Sequence, residues 1–402
     1  MKISISLQSF YPHSYTIILN YTKLLEMNIN LKIEKAVYEG YGLGFHEGKA
    51  VFVPYSVPGD EAEVGIIKDH KDHCFGRIIN LIIPSGERVK PECPNFGICG
   101  GCDYLNITYD KEISLKKQIV EDSLARIGRM PEERIPEIFV LRAGRFHYRS
   151  HADIKCDKGE FGFYEKNSNT LAPFPSEGCI LLSRPIIERL SRIDCAGRNQ
   201  LKIAASHNKE CVTSADNPAI VHESENGIKY DRDISCFFQA NAFLRQKMLA
   251  TAGEYAALTP DDAFLDIGCG SGFFTLYLSR FAKSGAGIDI DSTAIKWARR
   301  NAKQNNCGNV KFSVQSDSDL LSGSTKYTVI IADPPRPGLS KKSRTAITEI
   351  RPERIVYVSC NPATFARDSA DFISSGYSLN NLTLIDMFPA TYHIEIIGLF
   401  AL

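Results

Sequence analysis

Two apolar runs of this 402-residue chain stop abruptly on side chains able to do chemistry: Ile331-Ala-Asp-Pro-Pro-Arg336 and Val356-Tyr-Val-Ser-Cys-Asn-Pro362. In an open α/β sheet reactive groups gather at the carboxyl ends of strands. One strand end delivers a carboxylate, Asp333, and the other a thiol, Cys360. A third run, Ala263–Ile267, enters Gly268-Cys-Gly-Ser-Gly272, a turn whose glycines let a cofactor approach the backbone. About twenty residues on, Gly285-Ala-Gly-Ile-Asp-Ile-Asp291 ends in acid, which suits a ribose diol. A nicotinamide dinucleotide and S-adenosylmethionine both satisfy that pattern; the order Asp-Ile-Gly-Cys-Gly-Ser-Gly favours the second.

A lone cysteine is more often a small buried hydrophobe than a nucleophile. Cys360, however, falls where the apolar run gives way to Asn361-Pro362, in a strand-end loop. A thiolate becomes a nucleophile when its surroundings lower its pKa or a base takes its proton, and Arg336 is a candidate electropositive neighbour. The nucleophile is the reading adopted. Glu395 leads into a final apolar strand, Ile396–Leu399. Among apolar residues its pKa would rise and suit a general base; spacing alone leaves a solvent-facing strand residue equally open. Cys93, Cys99 and Cys102 crowd one short loop, with Cys179 the best-placed fourth thiolate. Four thiolates suit an iron–sulfur cluster or structural zinc.

The elements that must position these groups fall into segments. Residues 1–30 carry no pattern and are read as a disordered arm, or as a start assigned upstream of Met27. Over 31–88, short runs (Lys32–Val37, Lys49–Val53, Glu61–Lys68, Phe75–Leu81) separated by Gly40–Gly44, Pro58–Asp60 and a charged loop predict a small barrel of the oligonucleotide-binding type. Residues 89–235 hold the cysteine loop, a helix from Lys111 to Ile127 and a mixed central region. From 236 to 402 helix, strand and Gly/Pro punctuation alternate as in a doubly wound α/β domain.

Composition, 44% hydrophobic and 23% charged, is ordinary for a globular protein. No apolar run reaches transmembrane length and the start lacks secretory features, which predicts a cytoplasmic protein away from membranes; a monomer is expected. Cys156, Cys211, Cys236 and Cys307 read as buried hydrophobes. Formal net charge is zero, so an RNA partner would need local basic patches; Arg145-Phe-His-Tyr-Arg149 and Arg184 to Lys202 supply them.

Together these motifs resemble the RNA 5-methyluridine methyltransferase family from about residue 32 onward. Phe237-Phe-Gln-Ala-Asn241, Asp333-Pro-Pro-Arg336, Ser359-Cys-Asn-Pro-Ala-Thr-Phe-Ala-Arg-Asp368 and Phe388-Pro-Ala-Thr-Tyr-His-Ile-Glu395 carry the likeness. The resemblance implies a class I S-adenosylmethionine-dependent methyltransferase domain, an N-terminal TRAM barrel, and a central α+β domain holding a [4Fe–4S] cluster on Cys93, Cys99, Cys102 and Cys179. It implies Cys360 as nucleophile, Glu395 as base, and Asp333 and Arg336 on the substrate side. Cofactor contacts are implied at Gln239, Asp266, Gly268, Gly270, Asp289, Asp317 and Asp333. Asp289 stands where the family usually has Glu, and Gly268 where many members carry an aromatic residue. The expected substrate is a uridine of RNA, ribosomal RNA before transfer RNA. Two rivals remain: an amine methyltransferase, which usually carries Asn-Pro-Pro with an aromatic residue, and a non-catalytic iron–sulfur RNA-binding protein, which leaves Cys360 and Glu395 without a task.

Overall fold

The computed structural model describes residues 27–195, 197–319 and 326–402, so the expected arm up to residue 26 lies outside the described residues. Two units emerge: one gathers residues up to Ile119 with Glu165–Ser168 and Ala390–Tyr392, the other the remainder.

In the first unit, strands β1 (Asn28–Lys32), β2 (Lys35–Val37), β3 (Tyr41–His46), β4 (Lys49–Pro54), β5 (Glu61–Asp69) and β6 (His73–Ile83) pair in the order β1-β5-β6-β4-β3-β2. Consecutive strands β1 and β2 thus lie at opposite edges although only Ile33 and Glu34 separate them. The sheet must curl, and Glu34 N donating to Leu43 O at 2.8 Å helps close it. Alternate residues point inward, Ile29 and Leu31 from β1 and Ala62, Val64 and Ile66 from β5 among them. Three expectations are corrected here. The run read as one strand, Lys32–Val37, breaks at this closure, and β1 begins at Asn28, inside the segment read as an arm. Gly42 and Gly44, read as turn residues, lie within β3: a Cβ on Gly44 would meet Lys32 O at 2.2 Å, and one on Gly42 would meet Ser56 Oγ at 2.1 Å. Glycine marks close backbone approach here, not a turn. Fully buried Asp60 braces the barrel by accepting Arg88 through both carboxylate oxygens, at 2.7 and 2.6 Å, and the backbone N–H of Val57 at 2.6 Å. The cysteine loop follows in turns, and its Phe96 packs edge-on against Tyr55 at 5.2 Å. Helix α1 (Tyr109–Arg126) starts in this unit, with Lys116 paired to Glu112 at 2.8 Å, both buried. Glu112 also accepts Ala390 N at 2.7 Å, and Asp103 accepts Tyr392 N at 3.0 Å.

The second unit opens with β7 (Ile138–Leu141). An antiparallel sheet of β8 (His151–Asp157), β9 (Glu160–Tyr164), β10 (Leu171–Pro173), β11 (Gln200–Ala205) and β12 (Cys211–Thr213) runs in the order β10-β9-β8-β11-β12. Helix α2 (Arg184–Leu190) covers it through Ile186 and Leu190. Hairpin β13 (Ile220–Glu225) and β14 (Ile228–Asp233) leads to α3 (Arg245–Ala256). There follow β15 (Ala263–Ile267), α4 (Phe273–Leu278), β16 (Ser284–Asp289), α5 (Ser292–Gln304), β17 (Val310–Val314) and β18 (Val329–Ala332). The last elements are α6 (Lys341–Ile350), β19 (Arg354–Ser359), α7 (Pro362–Ser374), β20 (Ser378–Ile385) and β21 (Glu395–Ala401). The eight-stranded sheet reads β17-β16-β15-β18-β19-β21-β20-β7. Strands β17 to β19 in that order are parallel, and β21 enters antiparallel to both neighbours. Strands β18 and β19 are apolar along almost their whole length because helices cover both faces.

Candidate active site

Register brings the reactive residues together. In the parallel part Ile267 pairs with Ala332 and Ala332 with Tyr357, so Gly268, Asp333 and the end of β19 share one edge of the sheet. Because β21 runs the other way, its first residues meet the same edge: Ser359 pairs with Ile396, which makes Cys360 and Glu395 the next opposed residues. This is the carboxyl edge, where open α/β sheets keep their ligands.

Cys360 is half-buried between β19 and α7, whose first turn is capped by Asn361 accepting Ala363 N at 3.0 Å. Burial pushes its thiol up to about 12, Glu395 and Asp333 add to that, and Arg336 opposes them. Glu395, buried, is held well above the usual carboxylate range by burial and by Asp333. Asp333 is raised by burial and then by Asp266 and Asp289. The alternative of a solvent-facing Glu395 is thereby removed. Arg336 lies exposed with one nitrogen 2.9 Å from His393 Nδ1. The site therefore holds a thiol, two carboxyls of raised basicity and a cation beside them. Such a set suits nucleophilic addition coupled to proton removal.

The glycine loop forms a cradle. Gly268 N and Cys269 N both donate to Ile288 O, at 2.9 and 3.0 Å, and Gly270 N donates to Asp289 Oδ2 at 2.9 Å. Gly268, at φ +79°, has Asp333 O 2.5 Å from where a Cβ would stand, so no aromatic side chain is accommodated in this backbone arrangement. At Gly270, φ +53°, that direction is open space. Asp266 is fully buried; Thr275 Oγ1 donates to its Oδ2 at 2.5 Å, while its Oδ1 and the nearby buried Ser271 Oγ have no protein partner. Burial pushes the Asp266 carboxyl up to about 7. Gln239 Nε2 reaches Asp333 Oδ2 at 3.4 Å, which joins two motifs 94 residues apart. Open glycine, orphaned acceptor and the Asp289 carboxylate fit a ligand with an amine and a diol. Asp317 lies beside the sheet in a short 3₁₀ turn, accepting Ser343 Oγ at 2.6 Å. Asp291, the second acid of its run, is spent capping α5 through Thr293 N and Ala294 N.

Sequence reasoning missed two neighbours. Arg245, fully buried, donates to Gln239 O at 2.7 Å and pairs with Glu223 at 2.8 Å, so it fixes the backbone that presents Gln239. Its partners are distant in sequence and no local pattern flags them. Ile290 is 73% exposed directly after Asp289, an apolar face left beside the cradle; an apolar residue between two acids was the available signal.

Two expectations about RNA-facing residues meet corrections. Tyr148, within the basic segment Arg145–Arg149, is buried and donates its hydroxyl to Pro389 O at 3.0 Å, so it presents no ring face to RNA. In the basic segment Arg189 is paired with Asp216 at 3.4 Å and Lys202 with Asp153 at 3.6 Å, which leaves less free charge than the composition implied. No group of three or more His, Cys, Asp or Glu side chains among the described residues is arranged to hold a metal ion. Cys93 and Cys99 accept backbone N–H groups of their own loop, from Asn95 and Phe96 and, at 3.4 Å, from Gly101, and Cys179 packs on the core of the five-stranded sheet. No helix among the described residues is long and apolar enough to cross a membrane.

Comparison with known proteins identifies relatives of the whole chain. Residues 202–401 match the tRNA (uracil-5-)-methyltransferase family. An RNA methyltransferase of Aquifex aeolicus is 30% identical over 92% of this chain and 98% of its own length. The 23S rRNA (uracil(1939)-C(5))-methyltransferase of Histophilus somni is 30% identical over 90% of this chain and 93% of its own. The tRNA (uracil-54, C5)-methyltransferase of Pyrococcus abyssi superposes with a TM-score of 0.71 over 93% of this chain and all of that one, at 23% identity, and so shares the fold. With full-length relatives at this identity, the chain belongs to the RNA uracil-C5 methyltransferase family.

Proposed function

We propose that this enzyme methylates C5 of a uridine in ribosomal RNA through a covalent adduct on Cys360. The observation that carries the reading is the opposition of Cys360 and Glu395 across β19 and β21, with Asp333 at the end of the adjacent strand. Uracil C5 is a poor nucleophile. Addition of the Cys360 thiolate to C6 forms a carbon–sulfur bond and moves the C5–C6 π pair toward C5 and O4, where Arg336 steadies the growing negative charge. S-adenosylmethionine supplies the methyl group that C5 takes. Asp266, Gly270, Asp289 and Gln239 would hold it, consistent with the orphaned Asp266 Oδ1 and the open side of Gly270, and Ile290 would cover an adenine face. Glu395, its basicity raised by burial, then removes the C5 proton; the electrons restore the double bond and expel Cys360. Asp333, whose carboxyl is raised by burial, presents its carboxyl group to the uracil edge. A stacked base cannot reach a strand-end thiol, so the target uridine must be splayed out.

Support for ribosomal over transfer RNA is the 30% identity to a protein named for 23S rRNA. Nucleoside analysis of separated ribosomal and transfer RNA, each incubated with the enzyme, tests that choice: 5-methyluridine confined to transfer RNA overturns it. Incubation with 5-fluorouridine RNA tests the chemistry, because fluorine at C5 cannot leave as a proton and the adduct should persist; absence of a Cys360 adduct overturns the covalent route. The [4Fe–4S] assignment rests on three thiols in one loop that already receives backbone N–H groups, with Cys179 as fourth. No step of the proposed reaction is routed through a cluster. Iron and sulfide analysis of anaerobically purified protein decides it, and one zinc per chain with no iron would overturn it.

A further inference from the structure

The loop carrying Arg336 is strapped to the helix that begins at the nucleophile. Arg336 O accepts Asn361 Nδ2 and Thr364 Oγ1, both at 3.4 Å. Arg367 Nη2 donates to Pro337 O and to Leu339 O, each at 3.0 Å, and Arg344 donates to Leu339 O as well. In the other direction Leu339 N donates to Asp368 Oδ2 at 3.0 Å. Asn361, Thr364, Arg367 and Asp368 all belong to the cap and first two turns of α7, directly after Cys360. Asp368 is fully buried and also accepts the Tyr357 hydroxyl at 2.6 Å from β19, with Arg367 and Arg344 paired to it at 2.6 and 3.0 Å. The seat is tight: at Gly338, φ +72°, a Cβ would stand 2.7 Å from Asp368 Oδ2 and 2.8 Å from Arg367 Nη2. One carboxylate thus joins the strand that ends before the nucleophile, the helix that starts after it and the loop that bears the cation.

We propose that Arg367 and Asp368 are positioning residues: they hold the Arg336 loop on α7 so that guanidinium and thiol keep one mutual geometry during addition to C6. This rests on the reading of Cys360 as nucleophile. Neither residue touches substrate. Their effect runs through placement, and misplacement by about 1 Å costs about 100-fold in rate.

Arg367 is the practical variant because its side chain is 42% exposed, and removing it leaves Asp368 bonded to Tyr357 and Leu339 N. With wild-type enzyme, 5-fluorouridine RNA and S-adenosylmethionine at saturation, the adduct rate constant sets the reference. Arg367→Ala should lower that constant about 10- to 100-fold, with cofactor affinity within about twofold of wild type. Arg367→Lys, which keeps the charge but not the fork, should recover part of it. Gly338→Ala is an independent route to the same loss, since its Cβ pushes the loop off the seat. The proposal is overturned if Arg367→Ala and Gly338→Ala, both folded, form adduct at the wild-type rate. It is equally overturned if adduct rate, RNA affinity and cofactor affinity fall together, because a weakened fold then explains the loss. If wild type itself forms no adduct, the underlying reading of Cys360 fails instead, which is a separate result.

Discussion

Glu395→Gln should make Cys360 more reactive toward a simple alkylating agent while stopping turnover, two effects of opposite sign from one substitution. Burial pushes the thiol up to about 12, and Glu395 is the first charged group adding to that rise. Near pH 8 such a thiol is about 10⁻⁴ thiolate, against about a quarter for an ordinary cysteine, so iodoacetamide should label wild-type Cys360 about 10³-fold more slowly than an exposed thiol. Opposed side chains on neighbouring strands stand about 5 Å apart. A unit charge at ~5 Å and an effective dielectric of ~20 is worth about 3 kcal/mol. That is about two pKa units, hence up to about 100-fold in labelling rate. The sign depends on pH. Glu395 carries charge only above its own raised pKa, so variant and wild type should label alike below it and diverge above it. Even then the variant thiol stays above the ordinary range, because the burial remains. Peptide-resolved mass spectrometry over a neutral-to-alkaline pH series, with Cys360→Ala as the blank, separates this thiol from the other eleven cysteines. Wild-type Cys360 labelling at an ordinary thiol rate, or a variant no faster at any pH, would refute the electrostatic argument.

With substrate RNA, Glu395→Gln should accumulate a methylated adduct stalled before elimination; wild-type turnover by that variant would leave Glu395 merely structural. The rate of the native enzyme should climb with pH through an ionisation above the usual carboxylate range, since the base form of Glu395 dominates only above its raised pKa, and a flat profile from mildly acidic pH upward would contradict this. Gly268→Ala adds a Cβ 2.5 Å from Asp333 O at a positive φ, and should weaken S-adenosylmethionine binding by at least about tenfold, read by calorimetry. Arg88→Ala leaves the buried Asp60 carboxylate without its bidentate partner and should destabilise the barrel by about 3–5 kcal/mol in urea unfolding.

Much of the catalytic half was legible in the sequence because each reactive group follows directly on an apolar run. A strand that ends in Asp333-Pro-Pro or Cys360-Asn-Pro announces its own end, and the glycines of residues 268–272 announce a turn. Local chemistry of that kind survives in one dimension. Glu395 did not: whether it faces solvent or the thiol depends on β21 running antiparallel beside β19, a pairing between residues far apart in sequence. Its raised pKa follows from burial that the same packing creates. In the barrel, Gly42 and Gly44 looked like a turn because a glycine needed for a positive φ and one needed for close approach are the same letter; the Lys32 carbonyl 2.2 Å from the absent Cβ decided between them. Asp368 was only the last letter of a motif until folding set Tyr357, Leu339, Arg344 and Arg367 around it. Residue type and spacing determined which groups were available for chemistry. Sheet order and strand direction decided which of them face one another, because distance, burial and charge environment are properties of pairs that only the folded chain brings together.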